Sequence, residues 1–100
     1  MIKNALFVRL EALPGKAAEA EGFLHAALAM ANEEPTTPIW FALKLAPTTF
    51  GVFDAFHTEA DRQRHLSGPI AQALMTRGQD LFVFPLNIEP IDVLGLKNAD

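Results

Sequence analysis

Ile39-Trp40-Phe41-Ala42-Leu43-Lys44-Leu45, then Ala46-Pro47-Thr48-Thr49, then Phe50-Gly51-Val52-Phe53-Asp54-Ala55-Phe56: this stretch decides the fold. Two runs rich in aromatic and aliphatic residues, each of strand length, flank a short connection of turn-forming residues, which is the pattern of a β-hairpin. Gly51 permits either a bulge or a close approach by a neighbour. Toward the N-terminus, Pro35-Thr36-Thr37-Pro38 makes a stiff turn. Ahead of it Ala17, Ala20, Phe23, Leu24, Ala27, Leu28 and Ala31 recur at spacings of three and four, predicting an amphipathic helix from Lys16 to near Glu34. Glu19 and Glu21 fall in its early turns, by the positive end of the helix dipole. Pro14-Gly15 separates this helix from Asn4–Ala12, an apolar run that reads as a first strand buried on much of both faces.

Working outward in the other direction, Thr58 followed by Asp61 is a capping signal, and a short polar helix runs on to Leu66. Ser67-Gly68-Pro69 interrupts it, and Pro69 opens a second piece carrying Ile70, Ala73, Leu74 and Arg77 to about Asp80. After a linker rich in Phe and Pro, Asn87 to Leu96 is expected to be the last strand. The order is β-α-β-β-α-β, which is α+β of the ferredoxin-like kind: one domain over 1–100, built on a four-stranded antiparallel sheet. Two helical segments cover one sheet face only. Since strand residues of both parities are apolar, the second face is expected to be buried by another copy of the chain, giving a homodimer.

Composition removes several classes of function. The chain has 100 residues, enough for one core and one site. A net charge of -4 and only eight Lys and Arg, scattered along the sequence, argue against nucleic acid as a partner. With no cysteine, disulfides, thiolate nucleophiles and zinc-thiolate or iron-sulfur sites are excluded. No segment approaches the roughly 18 apolar residues of a membrane span, and the apolar opening is too short for a signal core. A cytoplasmic protein without membrane contact, metal or cofactor is the expectation.

A first strand ending Val8-Arg9-Leu10-Glu11, Pro14-Gly15-Lys16 opening a helix, and a Trp40-Phe41-Ala42-Leu43 strand together carry a family pattern. Thr49 to Phe56, followed by Glu59-Ala60, His65-Leu66 and Gly68-Pro69-Ile70, extends it in the same order and spacing. Over residues 4–97 the chain resembles the antibiotic biosynthesis monooxygenase (ABM) family of dimeric α+β barrels. That resemblance implies a cofactor-independent monooxygenase acting on a small aromatic or quinol-like molecule. The fold also hosts haem degradation and isomerisation, so a non-catalytic ligand-binding or assembly domain stands as the alternative. Against haem degradation, Val8 or its neighbours stand in place of the family's strand Asn, and Phe56 in place of its Trp. With no Tyr anywhere, a tyrosine-assisted mechanism is absent too.

Three residues are the catalytic candidates. His65 resembles a histidine often found near the family's ligand cleft, and an imidazole can deprotonate a phenol near neutral pH; its structural role would be to fix a helix end. Trp40, the only Trp, can stack on a flat substrate while its N–H orients an oxygen, or it can simply fill core. Arg9 and Asp54 are charges in apolar strands, so each needs a partner or a cavity. They can pair with one another, or Arg9 can stabilise a developing phenolate. The expected substrate pocket is Phe23, Asp54, Leu66, Ile70 and Leu74. His25 and His57 are read as surface residues.

Overall fold

In the computed structural model, which describes residues 1–97, the hairpin is present: β2 (Ile39–Ala46) pairs antiparallel with β3 (Thr49–Phe56), with a register shift between Lys44 and Ala46. β1 (Asn4–Glu11) lies on the far side of β3, and β4 (Ile88–Asp92) pairs with β1, so the strand order is β2-β3-β1-β4. Glycine at position 51 serves a close approach. A Cβ there would meet a Phe7 ring carbon at 3.2 Å and the Val8 carbonyl at 3.3 Å, and the hairpin's irregularity lies at Lys44/Ala46.

The helices follow their local signals. Gly15, at φ +76°, turns the chain into α1 (Ala17–Asn32). Thr58 caps α2 (Glu59–Leu66) by accepting the Asp61 N–H, and Pro69 opens α3 (Pro69–Thr76), which tightens into a 3-10 turn at Arg77–Asp80. α1, α2 and α3 all lie on one face of the sheet. There Val8, Leu10, Phe23, Leu24, Phe50 and Phe82 form the main core, with Phe23 meeting Phe82 edge-on at 6.0 Å. Phe50, Phe56, Phe82 and Leu10 are fully buried. No helix among the described residues is long and apolar enough to cross a membrane.

One expectation needs correction. The last strand is shorter than Asn87–Leu96: β4 pairs with Asn4–Val8 of β1, the Val93 N–H adds one bond to the Lys3 carbonyl at 2.9 Å just before β1 begins, and Val93–Lys97 continue without a strand, Leu94 fully exposed. The single-domain expectation of 1–100 also reaches positions 98–100, which lie outside the described residues.

The cross-strand register assigns the two sheet faces. Leu6 sits opposite Asp54, Val8 opposite Val52, and Trp40 opposite Asp54, all toward the helices. Phe7 faces Phe53, Phe53 faces Phe41, and Arg9 faces Gly51, all on the open side. Phe41 and Phe53 stack there at 6.4 Å, with Phe41 more than half exposed.

Candidate functional site

A cleft between the sheet and α2–α3 gathers residues from six elements. Leu6 and Val8 come from β1, Trp40 from β2, Val52 and Asp54 from β3, His65 and Leu66 from α2, and Ala71 and Leu74 from α3. Ile70 and Ile88 also line it. Its cavity volume is about 50 Å³, partly open to solvent.

Two polar side chains stand in this otherwise apolar wall because a chain of charged contacts holds them. His65 is buried, and its Nε2 lies 2.9 Å from Asp54 Oδ2. On the other side of the ring, Nδ1 lies 2.8 Å from Glu34 Oε1, which also accepts a hydrogen bond from the Thr37 hydroxyl at 2.7 Å. Phe56 packs against the imidazole with ring centroids 5.3 Å apart. Burial alone would push the His65 pKa down. The hydrogen bonds and charges of Asp54 and then Glu34 outweigh it, so the pKa is raised above the ordinary imidazole value and the imidazolium is favoured. Glu34 faces away from the cleft: Glu34, Pro35, Thr36, Arg64, Gly68 and Pro69 line a separate groove of about 250 Å³, and His65 is the partition between the two.

An imidazolium that donates from both nitrogens has no lone pair to offer a substrate. His65 is held between Asp54 and Glu34 through both ring nitrogens. The oxygen that remains free is Asp54 Oδ1, which is buried and has no hydrogen-bond partner among the described residues. Trp40 Nε1 is in the same condition. The ion-paired groups run in a line through the ring of His65, and among the described residues no His, Asp and Glu cluster could enclose a metal ion.

Of the residues expected to form the site, His65, Trp40, Asp54, Leu66, Ile70 and Leu74 are brought together around the cleft. Arg9 is not. It is exposed on the opposite sheet face, because residues of β1 alternate and Arg9 shares its side with Phe7. For the same reason Arg9 and Asp54 do not pair. Phe23 also lies elsewhere, in the main core, where the Arg77 guanidinium sits 5.8 Å from its ring centroid. His25 and His57 are exposed, as expected, and Lys44 pairs with Glu21 at 3.1 Å.

Two functional-looking residues went unread in the sequence. Glu34 follows a helix C-terminus, where the dipole disfavours a carboxylate, and that mismatch is the signal for a cationic partner. Arg62 is a buried cation: its Nη1 donates to the Ala5 carbonyl at 3.1 Å and the Ile91 carbonyl at 3.3 Å, and it pairs with Glu59. It ties α2 to the β1–β4 ladder.

No family model and no curated protein matches the sequence. Among solved structures, a protein of unknown function from Nitrosomonas europaea is 54% identical, with a TM-score of 0.95, over 100% of this chain and 97% of that one. A second Nitrosomonas europaea protein, called a "putative antibiotic biosynthesis monooxygenase", superimposes with a TM-score of 0.81 at 17% identity, over 92% of this chain and 90% of that one. A Deinococcus radiodurans protein of the same description gives 0.76 at 17%, over 97% of this chain and 98% of that one. At such identities these two establish the fold. The chain therefore belongs to the family of the Nitrosomonas europaea protein of unknown function, a family with the antibiotic biosynthesis monooxygenase (ABM)-like fold.

Proposed function

We propose that the cleft is the site of a cofactor-independent monooxygenase acting on a small aromatic, quinol-like molecule. The observation that carries the reading is the Glu34–His65–Asp54 chain beside an apolar cavity, where the cross-strand partners Asp54 and Trp40 each keep a buried polar atom, Oδ1 and the indole N–H, without a hydrogen-bond partner among the described residues. Removing a proton from a quinol makes its ring electron-rich, and an apolar surround keeps the anion reactive. Dioxygen is then the oxidant. One quinol and one O₂ give one hydroxyquinone and one water, so four electrons leave the ring, one oxygen atom enters it, and the other departs as water. The names of proteins sharing the fold agree with this chemistry. Oxygen uptake by the pure protein over a panel of quinols tests it: consumption above the protein-free rate with at least one member is expected, and none across the panel refutes the reading.

One observation favours a second reading, ligand binding without turnover. The cavity of about 50 Å³ is smaller than the roughly 150 Å³ that holds a whole benzene in an apolar core. Under the first reading the reacting edge of the ring enters while the rest lies across the mouth. Retention of small aromatics without any oxygen consumption would select the second.

The working unit in this proposal is a homodimer joined through the open sheet face. Its support is the row of Phe7, Phe53, Phe41 and Leu43 on that face, with Ile39 and Ile91 beside them.

A further inference from the structure

We propose that the cleft is a hydroxyl clamp: Asp54 Oδ1 takes the hydrogen of a phenol or enol O–H while Trp40 Nε1–H donates to the same oxygen. This rests on the cleft being a ligand site, as above, and narrows both the ligand class and the group that acts on it.

Trp40 and Asp54 are direct cross-strand partners on the helix-covered face of the sheet. Such a pair has its Cβ atoms about 5 Å apart, near enough for both side chains to reach one small group. Both line the cleft, and both carry a buried polar atom without a hydrogen-bond partner among the described residues. Asp54 is 3% exposed, so its carboxylate oxygen has little access to bulk water. Proteins rarely leave one such atom unmatched, and here a lone acceptor and a lone donor share a rung of the sheet.

The chemistry of the two atoms selects the ligand. Asp54 Oδ1, as carboxylate, only accepts, and the indole N–H only donates. An ether or ketone oxygen accepts but cannot donate, which leaves Asp54 Oδ1 facing a lone pair. An ammonium donates but cannot accept, which leaves Trp40 unmatched. A hydroxyl does both through one oxygen atom. The remaining wall, Leu6, Val8, Val52, Ile70 and Leu74, asks that this hydroxyl be carried on an apolar body.

Asp54 is then the catalytic base of the site, and His65 and Glu34 are positioning residues. His65 holds Oδ2, so the carboxylate meets the ligand through Oδ1 alone. In the proton-transfer step the ligand O–H bond breaks and an O–H bond forms at Oδ1. The electron pair stays on the ligand oxygen, where the Trp40 N–H stabilises it, and the total charge of the site is unchanged.

Phenol, anisole and toluene, titrated without oxygen, test the clamp, because they share a ring and differ only in the group offered to Asp54 and Trp40. Trp40 is the sole tryptophan, so its indole N–H gives a single nuclear magnetic resonance signal to follow beside calorimetry. Phenol is expected to bind about tenfold or more tighter than anisole or toluene and to move the indole signal. Asp54→Asn is expected to abolish that preference, and Trp40→Phe, which keeps a ring and loses the donor, to weaken phenol by a similar factor. A merely apolar cavity, or one whose polar pair keeps a water, would favour toluene. Toluene binding as tightly as phenol, no phenol binding, or a preference that survives both substitutions overturns the clamp. Since no turnover is involved, a protein that consumes oxygen with quinols but shows no phenol preference loses the clamp alone, and one that clamps phenol but never consumes oxygen loses the oxygenase reading alone.

Discussion

Burying His65 between Asp54 and Glu34 links the fold to pH. A histidine whose native pKa is raised binds its proton more tightly in the folded state. The stabilisation it contributes is therefore complete below the unfolded value of about 6.5 and is lost as pH rises through the native value. Urea denaturation at a series of pH values should show midpoints that fall from about pH 6.5 upward. Glu34→Gln, by removing one of the two carboxylates, should flatten that fall; an unchanged profile would mean that Glu34 does not hold the imidazolium. Arg62 makes a second prediction at this scale. Its guanidinium is buried and satisfies the carbonyls of Ala5 and Ile91, so Arg62→Ala strands both acceptors and should destabilise the fold by about 3 kcal/mol in equilibrium unfolding. A loss under about 1 kcal/mol would show that water replaces the side chain at no cost.

Among the elements, α2 depends on its cap. The Thr58 hydroxyl accepts the Asp61 N–H at 3.1 Å, and Thr58→Ala should cost about 1 kcal/mol, lowering the melting temperature by roughly 4–8 °C in a domain of this size. Signals of this kind are local, which is why α2, the break at Gly68-Pro69 and both strands of the hairpin could be read from the sequence: Thr58, Pro69 and the Pro47-Thr48 connection act on their immediate neighbours. The end of β4 could not. Val93, Leu94 and Leu96 are as apolar as Ile88 and Ile91, and the ladder ends where β1 begins at Asn4, more than 80 positions away, with one further bond from Val93 N–H to Lys3. The same difficulty hid the true place of Arg9. Leu6 and Val8 face the helices while Ala5 and Phe7 face away, and because both sets are apolar the alternation of β1 does not say which side is which. The candidate site was legible as a set of residue types and illegible as a network, since Glu34 and His65 are 31 positions apart and meet only when α1 and α2 pack on one sheet face.

For the whole molecule, the proposed dimer rests on the open face of the sheet. An interface of about 800 Å² per subunit, at about 25 cal/mol per Å², gives on the order of 20 kcal/mol before the costs of association, which favours a dimer at micromolar concentration. Light scattering after size exclusion should return about twice 10.9 kDa, and Phe41→Glu, which puts a charge on the exposed ring position, should return the monomer mass. A wild-type mass near 10.9 kDa would show that the face is tolerated in water. The cleft lies on the other side of the sheet, so oxygenation can be followed separately from assembly. The most direct test of the account is mass spectrometry of the product formed from a quinol under isotopically heavy oxygen gas, with the wild-type protein and with Asp54→Asn. One heavy oxygen atom per hydroxyquinone, formed faster than without protein and lost in Asp54→Asn, is the result expected. Product without heavy oxygen, formation no faster than the protein-free control, or a rate unchanged by Asp54→Asn would contradict it.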